Sequence, residues 1–132
     1  MKGLCVATVN VNEADFDQLI MGNDIVLVDF WASWCAPCKA FGSIYEAASE
    51  QHGDVVFAKV DTDANQQLAA AAGITSIPTL MAFREQVLVF AQPGALPAPA
   101  LEQVIEAVKG LDMEDVRAQI AASQAEGAVQ GE

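Results

Sequence analysis

Two cysteines in the run Cys35-Ala36-Pro37-Cys38 are the residues of this sequence best equipped for chemistry. A thiolate can attack a disulfide sulfur, and a second thiol close by can displace the mixed disulfide that results. At a helix start, two intervening residues put the second sulfur one turn from the first. The unpaired N–H groups and positive dipole end found there favour a thiolate at Cys35. Pro37 suits a first turn, where its missing N–H does no harm. The spacing therefore predicts Cys35 as nucleophile and Cys38 as resolving thiol. The competing chemistry for such a pair is half of a zinc site, which needs a second pair of ligands. Only a lone Cys5 and a lone His52 remain to supply it. No metal and no organic cofactor is expected. Cys5 reads as a small buried hydrophobe, and His52, between a helix and Gly53, as a surface helix-end residue.

The elements that must position this pair follow from periodicity. Residues 4–9 read as a short strand, and Asn12 as the N-cap of a helix with Phe16, Leu19 and Ile20 on its apolar face. After Gly22-Asn23-Asp24 comes Ile25-Val26-Leu27-Val28-Asp29-Phe30, too continuously apolar for a half-exposed strand and so predicted to be buried on both faces. A helix should carry the cysteine motif and run to about Gln51. Residues 55–60 predict a second buried strand, and 65–72 a short helix ending at Gly73. Residues 79–83 and 87–91 predict an antiparallel hairpin around Arg84-Glu85-Gln86. Pro97 and Pro99 introduce an amphipathic helix through Leu101, Val104, Ile105, Val108 and Leu111. The class is α/β, with a mixed sheet and helices on both faces. Residues 1–110 form the predicted domain. Residues 111–132 form an acidic extension, helical for a turn or two from Asp112 and then fraying beyond Ser123.

The 132 residues carry 18 acids against 6 bases, a net charge of −12. That argues against nucleic-acid or anionic-membrane partners, which require a basic patch, and against self-association, so a monomer is expected. No apolar run approaches the roughly 20 residues that cross a bilayer. Asn10, Asn12, Glu13 and Asp15 interrupt the start before a secretory core can form, which leaves a cytoplasmic location as the expectation. Two further residues stand out by position. Asp29 is either an acid at a strand end within reach of water or a buried carboxylate. Lys59, on the neighbouring strand, either pairs with it or snorkels to the surface.

The sequence resembles the thioredoxin family from about Val6 to Gly110. The resemblance rests on an ordered set of motifs: Val28-Asp29-Phe30-Trp31-Ala32, Trp34-Cys35-Ala36-Pro37-Cys38-Lys39, Ala58-Lys59-Val60-Asp61, Ser76-Ile77-Pro78-Thr79 and Gly94-Ala95-Leu96. It implies the thioredoxin fold, a central mixed five-stranded sheet flanked by four helices. It implies reduction of disulfides in client proteins, with re-reduction by the flavoprotein thioredoxin reductase. It further implies that Asp29 is buried with a raised pKa and shuttles a proton for Cys38, aided by Lys59. The Ile77-Pro78 bond would be cis, and Trp34, Ile77, Pro78, Gly94 and Ala95 would form an apolar groove around Cys35, with Ala36 and Pro37 at its edge. Trp31 is expected to support the loop from beneath.

The chain departs from the family at several points. Ala36 stands where glycine is usual, which bears on the reduction potential. Ser43 replaces a helix proline, and Glu85-Gln86 replaces an Asn-Gly turn, so a milder kink and a strained or looser turn are expected. A protein-binding module that uses the groove without redox chemistry is the alternative class of function, and the intact cysteine pair weighs against it.

Overall fold

The computed structural model describes residues 7–130, with side chains described through residue 124. Cys5, the start of the predicted 4–9 strand and the last two residues lie outside that range. The elements are β1 (Thr8–Asn10), α1 (Glu13–Met21), β2 (Ile25–Trp31), α2 (Ala36–Ser49), β3 (Val56–Asp61), α3 (Gln66–Ala71), β4 (Thr79–Arg84), β5 (Val87–Pro93), α4 (Ala98–Lys109) and α5 (Met113–Gln130). The strands form one mixed sheet in the order β1-β3-β2-β4-β5. β1, β3 and β2 are parallel, while β4 runs antiparallel to both β2 and β5.

β2 is the hub, buried along Ile25 to Phe30 because both of its faces are covered. Its pleat sends Ile25 and Leu27 into one core with Phe41, Tyr45, Phe57, Leu101 and Ile105, beneath α2 and α4. Val26, Val28 and Phe30 enter a second core with Ile20, Ala58 and Val60, against α1 and α3. Asp29 shares the alternation of Ile25 and Leu27, and Lys59 that of Phe57. Both therefore face α2. α2 turns Cys38, Phe41, Gly42, Tyr45 and Ser49 inward, a spacing of three and four residues that makes one helical stripe.

Local chemistry sets the ends of the elements. The Asn12 side chain accepts from the Asp15 N–H at 3.1 Å and starts α1 as expected. Glu85 and Gln86 at the hairpin both take positive φ, 52° and 73°, the left-handed conformation that a two-residue turn demands even of residues with a Cβ. The side chain of Arg84 reaches the end of α4, where its Nη1 donates to the carbonyls of Val108, Lys109 and Leu111 at 2.7, 3.1 and 3.4 Å. Orphan carbonyls of a helix C-terminus thus find a cation.

Two sequence expectations are corrected. Beyond the four helices that flank the sheet, α5 continues through Gln130 instead of fraying beyond Ser123. Asp112 starts it by accepting from the N–H groups of Glu114 and Asp115, Met113 is buried, and Arg117 is ion-paired with Glu85. The Ala, Gln and Glu beyond are good helix formers. His52 is buried, at 7% exposure, and not a surface residue. Its Nε2 lies 2.7 Å from Glu102 on α4, and its Nδ1 2.8 Å from Lys109 Nζ. Among the described residues no helix is long and apolar enough to cross a membrane.

Candidate active site

The strand β2 ends at Trp31, and the chain turns through residues 32–34 to place Cys35 at the N-cap of α2. Its φ of −95° and ψ of 110° are extended, and its Sγ accepts a hydrogen bond from the Cys38 N–H at 3.2 Å. A sulfur in this position takes the role usually given to a Ser or Asp oxygen and gains from negative charge. Pro37 lies in the first turn, as its fixed φ and lack of N–H require. Cys35 and Cys38, with Cα atoms 5.2 Å apart, are joined as a disulfide. Beneath them Ala32 is fully buried, and Trp31 and Ile77 pack against the three.

The two sulfurs have different surroundings. Cys35 lines a cavity of about 510 Å³ together with Trp34, Ala36, Pro37 and Ile77, whereas Cys38 faces the core. The far wall comes from Thr62 and from the loop Ile74-Thr75-Ser76, which the sequence reading missed. A threonine–serine stretch leading into Ile77-Pro78 was the available signal for a loop there. Among the described residues no charged side chain lines this cavity. Trp34 is 69% exposed and held by its Nε1–H, which donates to Asp63 Oδ2 at 2.9 Å. The Ile77-Pro78 bond is cis, and the Ile77 carbonyl oxygen is 3.8 Å from Cys35 Sγ. Pro78 is buried. Its carbonyl accepts from the Gly94 N–H at 2.7 Å, with Gly94 at φ 105°, a backbone that only glycine adopts without strain. Gly94 and Ala95 are exposed beside the site but do not line the cavity.

Asp29 is fully buried, and neither of its oxygens has a hydrogen-bond partner among the described residues. Removal from water disfavours its charge and pushes its pKa up to about 7. Lys59 offsets part of this, and Glu46 adds to it. Strand register sets Asp29 opposite Lys59, but the two do not form an ion pair. The Lys59 ammonium lies 3.5 Å from Glu46 Oε2 and 5.0 Å from the centre of the Trp31 ring. Trp31 is thus a half-buried platform beside the loop. Tyr45, from the same stripe of α2, donates its hydroxyl to the Ala58 carbonyl at 2.8 Å.

The family model described as thioredoxin matches residues 7–107. The chain belongs to the thioredoxin family. A Streptomyces coelicolor protein given the provisional description thioredoxin 2 is 56% identical over 120 residues, covering 91% of this chain and 90% of its relative. Thioredoxin 1 of a Nostoc species is 40% identical over 102 residues, with 76% of this chain and 95% of that protein covered. Among solved structures, a thioredoxin variant from Halobacterium salinarum superposes with a TM-score of 0.74 at 35% identity, covering 81% of this chain and 96% of that one. With a cysteine pair at disulfide distance in this fold, the chain is a thiol–disulfide oxidoreductase of the protein-disulfide reductase type.

Proposed function

We propose that the chain reduces disulfides in client proteins with Cys35 as the attacking and Cys38 as the resolving thiol. The observation that carries the assignment is the asymmetry of the pair: Cys35 opens onto the uncharged cavity, and Cys38 is on the inward stripe of α2. The Cys35 thiolate attacks one sulfur of a client disulfide, and the other client sulfur leaves as thiolate. Cys38 then gives its proton to the Asp29 carboxylate and attacks Cys35. The Cys35–Cys38 bond forms as the bond to the client breaks, so two electrons pass from the dithiol to the client. A carboxyl group titrating near neutrality is suited to that transfer. Lys59 acts on it through charge.

The client segment lies against Trp34, Ala36, Pro37 and Ile77, in an extended form that exposes backbone to the loop before Pro78. Pro78 fixes the loop that precedes it, Gly94 and Ala95 extend the contact surface beside the cavity, and Trp31 supports the loop. Thioredoxin reductase restores the dithiol. The chain acts as a monomer in the cytoplasm, and its partners are reductase and disulfide-bearing clients, not nucleic acid or membrane. Residues 1–110 make the working domain, and 111–132 an appended acidic helix. The test is catalysed reduction of a model protein disulfide, driven by dithiothreitol or by NADPH with a reductase. A rate no greater than background from folded protein would refute the assignment.

A further inference from the structure

Asp29 and Lys59 are neighbours in register on the face of the sheet that α2 covers, yet their charges do not meet. The lysine is held away by a cradle of three parts. Glu46 Oε2 stands 3.5 Å from Nζ, the Trp31 ring lies 5.0 Å below it, and Gly42 leaves space that a Cβ would enter at 3.7 Å from Nζ. Gly42 and Glu46 come from the same helix as Cys38, one and two turns further on. The carboxylate is left with both oxygens unpartnered inside the protein, where a counter-ion on the next strand would have been its natural neighbour.

We propose that Glu46 is a positioning residue for the proton step: by holding the Lys59 ammonium against α2, it keeps the lysine from pairing directly with Asp29 and so sustains that carboxyl as a proton carrier. This rests on the reading of Asp29 as the proton partner of Cys38. The titratable groups around Asp29 are Lys59 on β3, Cys38 and Tyr45 on the inward stripe of α2, and Glu46, which is off that stripe and acts through its charge, while β4 opposes Asp29 with the uncharged Leu80. Burial is the largest influence on Asp29, so the Glu46 variants are compared with and without Lys59 to isolate the charges. Lys59 and Glu46 act on the carboxyl with opposite sign, and removal of the glutamate charge frees the lysine. Both consequences lower the proton affinity of Asp29.

The experiment follows the Asp29 side-chain carboxyl directly by carbon NMR titration of the full oxidised chain. The variants are Glu46→Gln, Glu46→Asp, Lys59→Met and the double variant Glu46→Gln with Lys59→Met. Glu46→Gln is expected to lower the Asp29 midpoint by about half a pH unit or more. Glu46→Asp, which keeps the charge, should restore most of the original value. Without Lys59 the glutamine substitution should displace the midpoint by less than half as much, since only direct repulsion is left. In the reduced chain, the pH profile for resolution of a mixed disulfide should move by the same amount as the titration. An unmoved midpoint in Glu46→Gln, or an equal displacement with and without Lys59, overturns the assignment. A midpoint that moves while the rate profile stays fixed shows that Glu46 governs the Asp29 titration, but it overturns the positioning role in the proton step and removes Asp29 from the proposed mechanism.

Discussion

Replacement of Asp29 by asparagine should make the oxidised protein progressively more stable than the parent as pH rises from 4 to 8. The folded carboxyl titrates at about 7 against an ordinary 3.8, so between these values the native state holds a proton that the unfolded chain has released. Native stability therefore falls with rising pH across that window and levels off above it. At about 1.4 kcal/mol per pH unit, the loss reaches about 4 kcal/mol, an upper bound since water entering the site would relieve it. Asparagine removes the titration and with it the slope. Its buried amide adds a cost that does not change with pH, so the slope is the diagnostic quantity. Urea unfolding of both proteins at pH 4, 5.5, 7 and 8.5 gives the difference, in which all other titrating groups largely cancel. The disulfide keeps Cys35 and Cys38 from titrating. A difference that is constant from pH 4 to 8.5 would show that Asp29 ionises normally in the fold, and the proton-transfer reading would fall with it.

Cys35→Ser should abolish turnover of a model protein disulfide, while Cys38→Ser should still attack and accumulate a mixed disulfide, visible as the client's added mass on the intact chain. Tyr45→Phe removes the hydroxyl bonded to the Ala58 carbonyl and should cost about 1 kcal/mol in urea unfolding. Arg84→Met takes the side-chain donor from the carbonyls of Val108, Lys109 and Leu111, at and just beyond the end of α4, and should cost about 1.5–3 kcal/mol. Amide exchange in the last turn of α4 should quicken in that variant, and unchanged exchange would assign those carbonyls to water instead.

The element order from Asn12 to Lys109 was legible because each element carries its own local signal. The continuous apolar run of β2, the cap at Asn12 and the stripe of α4 are short-range patterns that tertiary packing had no reason to overrule. The cysteine pair was legible for the same reason, since cap, proline and nucleophile occupy four consecutive residues. What the sequence concealed depends on distant partners. His52 looks like a helix-end residue until Glu102 and Lys109 arrive on α4 to satisfy both ring nitrogens. Lys59 is a plausible mate for Asp29 by register, and only the rotamer shows that Glu46, a helix away, holds it. The Ile74–Ser76 wall of the cavity carries no periodicity at all. The length of α5 was underestimated because Ala, Gln and Glu look featureless when apolar patterning is the guide, although they are good helix formers by propensity.

The sulfur of Cys35 caps α2, and the Cys38 amide that it accepts belongs to the very residue that later displaces the client. The acceptor strength of that sulfur changes whenever its bonding changes: greatest as a free thiolate, weaker once shared with a client or with Cys38. The Cys38 amide is thereby a built-in gauge of the catalytic cycle. Its chemical shift and exchange rate should take one value in each of the three covalent states, with no label attached to the protein. Progress through the reaction could be followed at a single backbone proton.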